Sequence, residues 1–244
     1  MNTYEYWLAK SRNEAILWAR EVLDSPEKYV IFDTETTGLR ENDLIIHLAV
    51  MDLMRNMLID TMVKPVSKRR IAEGAKDVHG LTLKDLKDAP IFESVVKDFV
   101  KVVEGKRILS FNAEFHERMF LQSYYNEGVS EVLPKLDFED VQSKFDKFMS
   151  RDRLALPGRK NTGIGDCNAT LDLIVRIADA ELTELPESNP DTEPAFIRQS
   201  NKKSSIRGCL FVLFMALGIP FMPKFWYIGV PIVGLGVYFL YKKD

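Results

Sequence analysis

Two acidic residues, Asp33 and Glu35, are the part of this sequence best suited to do chemistry. They belong to a run from Tyr29 to Glu35 that begins with β-branched and aromatic residues, which predicts a strand. Because alternate residues of a strand point to the same face, the two carboxylates should lie side by side. Paired carboxylates repel each other unless a cation lies between them, and oxygen ligands suit Mg²⁺ or Mn²⁺. The sequence therefore predicts a divalent metal site here.

Length and composition limit the possible functions. A chain of 244 residues can hold one α/β domain plus some extra sequence. Its formal net charge of −3 gives no whole-chain basic field, although metals and local basic patches still permit a nuclease. Cys167 and Cys209 lie far apart, which argues against a disulfide framework and favours a reducing compartment. The first residues lack a basic stretch followed by an apolar core, so we expect no cleavable signal peptide.

The spacing of apolar residues predicts the elements that would position the two acids. Helices are predicted over Thr3 to Leu23, Ile91 to Glu104, Asn112 to Asn126, Asp137 to Met149 and Gly165 to Leu182. Strands are predicted over Tyr29 to Glu35, Leu44 to Leu53, Met57 to Val63 and Arg107 to Phe111. Three successive strands followed by interleaved helices favour an α/β fold, in which helices pack on a mixed sheet.

Several separated strings occur together in one order. They are VIFDTETTGL at Val30 to Leu39, AKDVHGLT at Ala75 to Thr82, Ala89-Pro90, FNAEF at Phe111 to Phe115, and GDCNATL at Gly165 to Leu171. In this order they resemble the DnaQ-like 3'-5' exonucleases of the DEDDh group, over about residues 10 to 180. The resemblance implies a ribonuclease-H-like fold and two-metal hydrolysis, with Mg²⁺ or Mn²⁺, at the 3' ends of single-stranded DNA or RNA.

The resemblance also implies roles for individual residues. Asp33, Glu35 and Asp166 would hold the metal ions. The terminal nucleotide would contact Thr36, Thr37, Gly38, Asn112 and Phe115. His79 is predicted to bind backbone groups rather than to act in catalysis, because a histidine in a turn often does so.

Two catalytic positions depart from the family pattern. His116 stands where the family has its third acid, and Asn161 stands where it has a histidine as general base, five residues before Asp166. Imidazole favours softer ions than Mg²⁺. Asparagine cannot accept a proton near neutral pH. We therefore expect the geometry of a nuclease with altered proton chemistry.

Two alternatives would repair these departures. Cys167 as the base with Asp172 as the acid is a possible register, but it breaks the Gly165 to Leu171 match. Glu117 could supply the missing ligand, but it lies about 100° around the helix from His116.

Composition divides the chain into four predicted parts. Residues 1–24 are a helical preface, 25–182 the exonuclease domain, 183–207 a linker and 208–244 an apolar segment. Cys209 to Tyr241 contains one charged residue, Lys224, and both flanks are basic. We therefore expect a C-terminal helical membrane hairpin, with a single tilted span and a shallow re-entrant hairpin as alternatives. This predicts a membrane-anchored protein whose exonuclease domain lies in the cytoplasm.

Three functions fit these residues. The first is a membrane-tethered 3'-5' exonuclease whose activity is reduced or lost through His116 and Asn161. The second is a catalytically impaired exonuclease fold that binds nucleic-acid ends or a protein at the membrane. The third is a metal-free interaction module, which would leave the three acids idle.

Overall fold

A computed structural model describes residues 1–67 and 70–186 of the chain. At its centre is a five-stranded mixed sheet in the order β3-β2-β1-β4-β5. The strands are β1 Tyr29–Thr36, β2 Ile45–Met51, β3 Met57–Met62, β4 Arg107–Ser110 and β5 Asp137–Asp140. The α-helices within these ranges are α1 Thr3–Asp24, α2 Glu73–His79, α3 Phe92–Val103, α4 Ala113–Asn126, α5 Val141–Met149 and α6 Gly163–Ala178, and a short 3-10 helix spans Pro26–Lys28. The predicted α/β class, a mixed sheet flanked by helices, is confirmed.

Strand β1 lies in the middle of the sheet, and all of its residues are buried. It is antiparallel to β2 and parallel to β4. Its side chains alternate between two cores, as the geometry of a strand requires. Ile31 packs in a core with residues of α1, α5 and α6, whereas Val30 and Phe32 pack in a core with residues of α3 and α4. Asp33 and Glu35 therefore lie near the end of a strand that is packed on both faces.

The helix predicted over Asp137 to Met149 is wrong in its first four residues. These residues form β5, which pairs with β4 in parallel. Arg107 supports this pairing, because its Nε donates a hydrogen bond of 3.0 Å to Asp137 Oδ2. A run of four residues has too little periodicity to separate a strand from a helix, so the neighbouring strand decides the outcome. Helix α5 then begins after Asp140, whose side chain accepts a hydrogen bond from Ser143 N.

The predicted localisation is corrected by the structure. None of the helices in residues 1–67 and 70–186 is long and apolar enough to cross a membrane. The expected membrane hairpin and membrane contact rested on Cys209 to Tyr241, which lie outside the described residues. Membrane anchoring with the exonuclease domain in the cytoplasm is therefore unsupported. The division into residues 1–24, 25–182, 183–207 and 208–244 stays a prediction.

Helix α6 approaches the sheet closely at its first residue, Gly163. A Cβ at this position would lie 2.6 Å from Cε1 and Nδ1 of His47 and 2.7 Å from the Cβ of Ala49. Such distances are too short for real contacts, so the absence of a side chain lets α6 begin against β2. The start of α6 is thereby held beside the end of β1.

We expect Gly163→Ala to destabilise the protein by about 1–3 kcal/mol, because the new methyl group has no space against His47 and Ala49. Chemical denaturation would measure this loss as a lower midpoint. Gly74→Ala is the matched control, since Gly74 lies in α2 with no atom within 4 Å of the added Cβ. That change should be neutral or stabilise by about 0.4–1 kcal/mol. Equal midpoints for the two variants would contradict the close approach of α6.

Candidate active site

Three carboxylates converge where β1 ends and α6 begins. Asp33 and Glu35 extend from β1, and Asp166 extends from the first turn of α6. One ligand atom from each residue can be chosen so that all three lie within 4.8 Å of one another. Their exposed fractions are only 9%, 5% and 2%, respectively. The structure therefore brings together the three residues that the sequence predicts as metal ligands.

Burial and mutual repulsion make these carboxylates costly to ionise. Burial first, then the charges of Glu35 and Asp166, raise the pKa of Asp33 well above its ordinary value. Burial, followed by the charge of Asp166, raises the pKa of Glu35 to about 7. Both effects oppose negative charge in a site of low polarity. A cation placed among the three carboxylates would offset both their mutual repulsion and the cost of burying their charge.

Two oxygens of the cluster fit such a cation. Asp33 Oδ2 and Glu35 Oε1 are buried and have no hydrogen-bond partner among the described residues. Buried acceptors without partners are rare, and a bound ion is one of the ordinary explanations. A donor set made only of carboxylate oxygens suits the hard ions Mg²⁺ and Mn²⁺. The residues present thus fit the predicted divalent metal ions.

Asp166 is held by the loop that precedes α6. Its Oδ1 accepts hydrogen bonds from the backbone N–H of Lys160 at 2.7 Å and of Asn161 at 3.1 Å. Its Oδ2 accepts from Arg159 Nε at 3.1 Å. Thr162 caps the N-terminus of α6, because its hydroxyl accepts a hydrogen bond from the N–H of Gly165. The loop therefore holds the carboxylate of Asp166 in place beside the two carboxylates of β1.

Asn161 lies at the edge of the cluster. Its φ of 55° is left-handed, a conformation that asparagine tolerates better than most residues. Its backbone N–H contacts Asp166, which places the residue next to the predicted metal ligands. The structure thus brings Asn161 to the site, but an amide side chain there cannot take up a proton.

His116 reaches the same cluster from α4. Its Nε2 lies 3.5 Å from Asp33 Oδ1, and its Nδ1 lies 2.9 Å from Thr34 Oγ1. Burial, followed by the positive charge of Arg159, lowers the pKa of His116 to about 3. The imidazole is therefore neutral at physiological pH. A neutral ring stands beside Asp33, where the family pattern has a third negative charge.

The turn after β1 is fixed by several hydrogen bonds. Thr37 N–H donates to Leu44 O at 2.8 Å, and the Thr36 hydroxyl donates to Gly38 O at 2.8 Å. His79 accepts from Leu81 N with its Nδ1, so its Nε2 can donate to Thr36 O at 3.1 Å. This agrees with the predicted backbone role of His79. The backbone of the polar turn is thus held by hydrogen bonds within the protein.

His116 lies in the first turn of α4, close in sequence to Asn112 and Phe115. Asn112 precedes the helix with a φ of 67°, and its side chain makes no capping hydrogen bond to the helix. The ring of Phe115 lies 5.0 Å from the His116 ring. The Arg118 guanidinium lies 5.4 Å from the ring of Phe115. The structure places Phe115 beside His116 and Asn112 directly before α4. The predicted roles of Thr36, Thr37, Gly38, Asn112 and Phe115 in substrate binding stay predictions.

The alternative residues do not join the cluster. Asp172 is exposed and pairs with Arg55 at 2.5 Å. Cys167 is buried, and burial raises the pKa of its thiol well above the ordinary value, so it stays protonated. Glu117 is not part of the carboxylate group formed by described residues, and burial raises its pKa. The register with Asp166 is therefore the one that the geometry favours.

Sequence reasoning missed two residues next to the site. Arg159, in a segment assigned only as loop, contacts Asp166. His47 lies opposite Glu35 in the β1–β2 ladder, and its Nε2 lies 2.9 Å from Asp60 Oδ1. A charged residue seven positions before a predicted metal ligand and a histidine in an apolar strand were the available signals. Neither signal indicates by itself which neighbour it will meet.

Comparison with known proteins agrees with this geometry. The family model RNase_T, described as exonuclease, matches residues 30–173. The DNA polymerase III subunit epsilon of Buchnera aphidicola subsp. Schizaphis graminum is 26% identical over 153 residues, which are 57% of this chain and 61% of that protein. The chain spans less than two thirds of the length of the curated relatives that it matches.

Solved structures agree in fold. The nuclease domain of 3'hExo, a DEDDh family member bound to rAMP, has a TM-score of 0.50 at 13% identity and covers 65% of this chain and 96% of that chain. Escherichia coli exonuclease I in complex with a dA16 oligonucleotide has a TM-score of 0.50 at 15% identity and covers 62% of this chain and 42% of that one.

The family match spans β1, β4, α4 and most of α6, the elements that carry the carboxylates and His116. It includes more than half of the chain, and the sheet agrees with the folds of the solved structures. The chain therefore belongs to the RNase_T exonuclease family, as a DnaQ-like member with a ribonuclease-H-like fold.

Proposed function

We propose that this protein is a metal-dependent 3'-5' exonuclease that hydrolyses phosphodiesters at the 3' ends of single-stranded DNA or RNA. The observation that carries the proposal is the convergence of Asp33, Glu35 and Asp166, with ligand atoms within 4.8 Å of one another. Two buried oxygens of this cluster lack hydrogen-bond partners among the described residues. Membership in an exonuclease family supplies the reaction class.

Each residue group has a distinct task in this proposal. Asp33, Glu35 and Asp166 would hold two divalent ions, which when bound supply the positive charge that activates water and stabilises the phosphate in the transition state. The hydrogen-bonded turn from Thr36 to Gly38 and the side chain of Asn112 would hold the terminal nucleotide. The contacts of the turn support this role, because a preformed surface costs less entropy on binding.

Removal of a proton from the attacking water is the step that the side chains of this site support least. Asn161 can orient a water by hydrogen bonding but cannot accept its proton. His116 is neutral with a pKa of about 3, and its Nδ1 already faces the Thr34 hydroxyl. The loss of a general base costs about 10²–10⁴-fold in rate. We therefore expect slow hydrolysis rather than none.

A second candidate function follows from the same two residues. A neutral His116 beside Asp33 and an amide at position 161 favour a fold that binds nucleic-acid 3' ends, or a protein partner, without turning them over. Binding of a single strand without any metal-dependent shortening would favour this candidate over the exonuclease.

The first prediction concerns metal binding and pH. Without metal, the pKa values of Asp33 and Glu35 are raised by folding, so the folded protein holds protons that the unfolded chain releases. Stability of the metal-free protein should fall as pH rises, for Glu35 between its ordinary 4.5 and about 7. Millimolar Mg²⁺ or Mn²⁺ should raise the melting temperature, and the gain should grow over the same range, because the metal binds the ionised carboxylates.

Thermal melts of the full chain with EDTA, Mg²⁺ or Mn²⁺ would test this prediction. Asp33→Asn should reduce the gain, because it removes one ligand. Asp172→Asn is the matched control, since this exposed acid pairs with Arg55 rather than joining the cluster. Melts that do not respond to either ion would count against a metal site.

The second prediction concerns the two departures. His116→Asp together with Asn161→His should raise the rate of 3'-end release by about 10²-fold or more, on the size of a general-base effect. The wild type should also favour Mn²⁺ over Mg²⁺, because imidazole nitrogen suits the softer ion, and His116→Asp should reduce this preference. The single changes should not add up to the double change, since both act at one reaction centre.

Rates for the wild type, the two single variants and the double variant would be measured on an end-labelled single strand. A wild type as fast as the double variant would show that the base lies elsewhere. An inactive double variant that still binds Mn²⁺ would favour the second candidate function.

A further inference from the structure

The guanidinium of Arg159 lies at the entrance of the carboxylate cluster. Its Nε lies 3.1 Å from Asp166 Oδ2, while 53% of its side chain is exposed and only 2% of that of Asp166. No hydrogen bond from its two Nη groups is present among the described residues. Arg159 thus contacts the buried carboxylate of Asp166 with its Nε, while its two Nη groups are on the exposed part of the side chain.

The positive charge of Arg159 lies against the carboxylate cluster. Through the contact of its Nε with Asp166 Oδ2, Arg159 is a counter-ion for that buried carboxylate in the metal-free protein. A divalent ion bound to Asp166 would repel the guanidinium and compete with it for the same carboxylate.

The position of Arg159 allows such an exchange. It belongs to the loop before α6, and the hydrogen bonds that hold this loop to Asp166 come from the backbone N–H groups of Lys160 and Asn161. Displacing the guanidinium would leave those two bonds in place. The freed side chain is long, and its planar fork of N–H donors matches the oxygens of a phosphate.

We propose that Arg159 is an exchangeable counter-ion, which divalent metal displaces from Asp166 and which then binds a phosphate of the nucleic-acid 3' end. The phosphate part rests on the proposed function, whereas the exchange with metal does not. Arg159 would thus oppose metal binding in the free protein and favour substrate binding in the loaded protein.

Opposite effects on two affinities distinguish this role from a structural one. Arg159→Ala should bind Mn²⁺ about five-fold more tightly in the absence of nucleic acid, because a competing charge is gone. The same variant should bind a single strand about ten-fold more weakly in the presence of metal, because a charged hydrogen bond to phosphate is lost. Arg159→Lys keeps the charge without the fork, so its Mn²⁺ affinity should stay near that of the wild type while its single-strand affinity falls.

Calorimetric titration with Mn²⁺, and fluorescence anisotropy of a labelled single strand in Ca²⁺, would measure both affinities on the full chain. Lys160→Ala is the matched control, since it removes one positive charge at the next position and keeps the backbone N–H bond to Asp166. Its Mn²⁺ affinity should stay within about two-fold of the wild type, because exposed charges are screened.

Each outcome decides one part of the proposal. Unchanged or weaker Mn²⁺ binding by Arg159→Ala would overturn the exchange, and so would an equal gain in Lys160→Ala. Unchanged single-strand affinity in Arg159→Ala would overturn the phosphate contact. A wild type that binds no single strand would overturn the proposed function, and the Mn²⁺ titrations would still decide the exchange.

Discussion

The repulsion among Asp33, Glu35 and Asp166 is the constraint on which the rest of the site depends. Three buried carboxylates with ligand atoms within 4.8 Å of one another would separate unless the surrounding structure held them. A buried central strand fixes two of them, and the close start of α6 fixes the third. The loop around Asp166 and the guanidinium of Arg159 offset part of the charge. A cation bound among the three carboxylates would offset the charge that remains.

The two departures change the charge and proton chemistry of this site while leaving its position intact. His116 reaches Asp33 from the start of α4, and Asn161 reaches Asp166 through its backbone. His116 is neutral where the family has an acid, so the site is less negative than the family pattern. The weaker negative charge lowers the attraction for metal. An amide at position 161 leaves the water without a proton acceptor. In the proposed exonuclease, the rate of hydrolysis would therefore depend more strongly on the metal than on a side-chain base.

Much of this arrangement follows from the sequence, because it depends on local rules. The spacing of Asp33 and Glu35 on an apolar strand predicted the carboxylate pair, and the spacing of apolar residues predicted α3, α4 and most of α6. Strand β5 could not be predicted, since its four residues become a strand only through pairing with β4. The contact of Arg159 with Asp166 was equally hidden, because the backbone conformation of the loop decides where a long side chain points. The membrane prediction came from composition alone, and no helix of the described residues supports it.

The most direct test of the proposed exonuclease is to incubate the full chain with a single strand that is labelled at its 5' end, and to measure whether the strand is shortened in the presence of metal. With Mn²⁺, we expect products that lose one nucleotide after another from the 3' end, and we expect none with EDTA. The Asp33→Asn variant should produce none above background, because it lacks a ligand for the metal, while Asp172→Asn should act like the wild type. Shortening that persists with EDTA or in Asp33→Asn would contradict the account, and so would a wild type that binds Mn²⁺ and single strands but never shortens them.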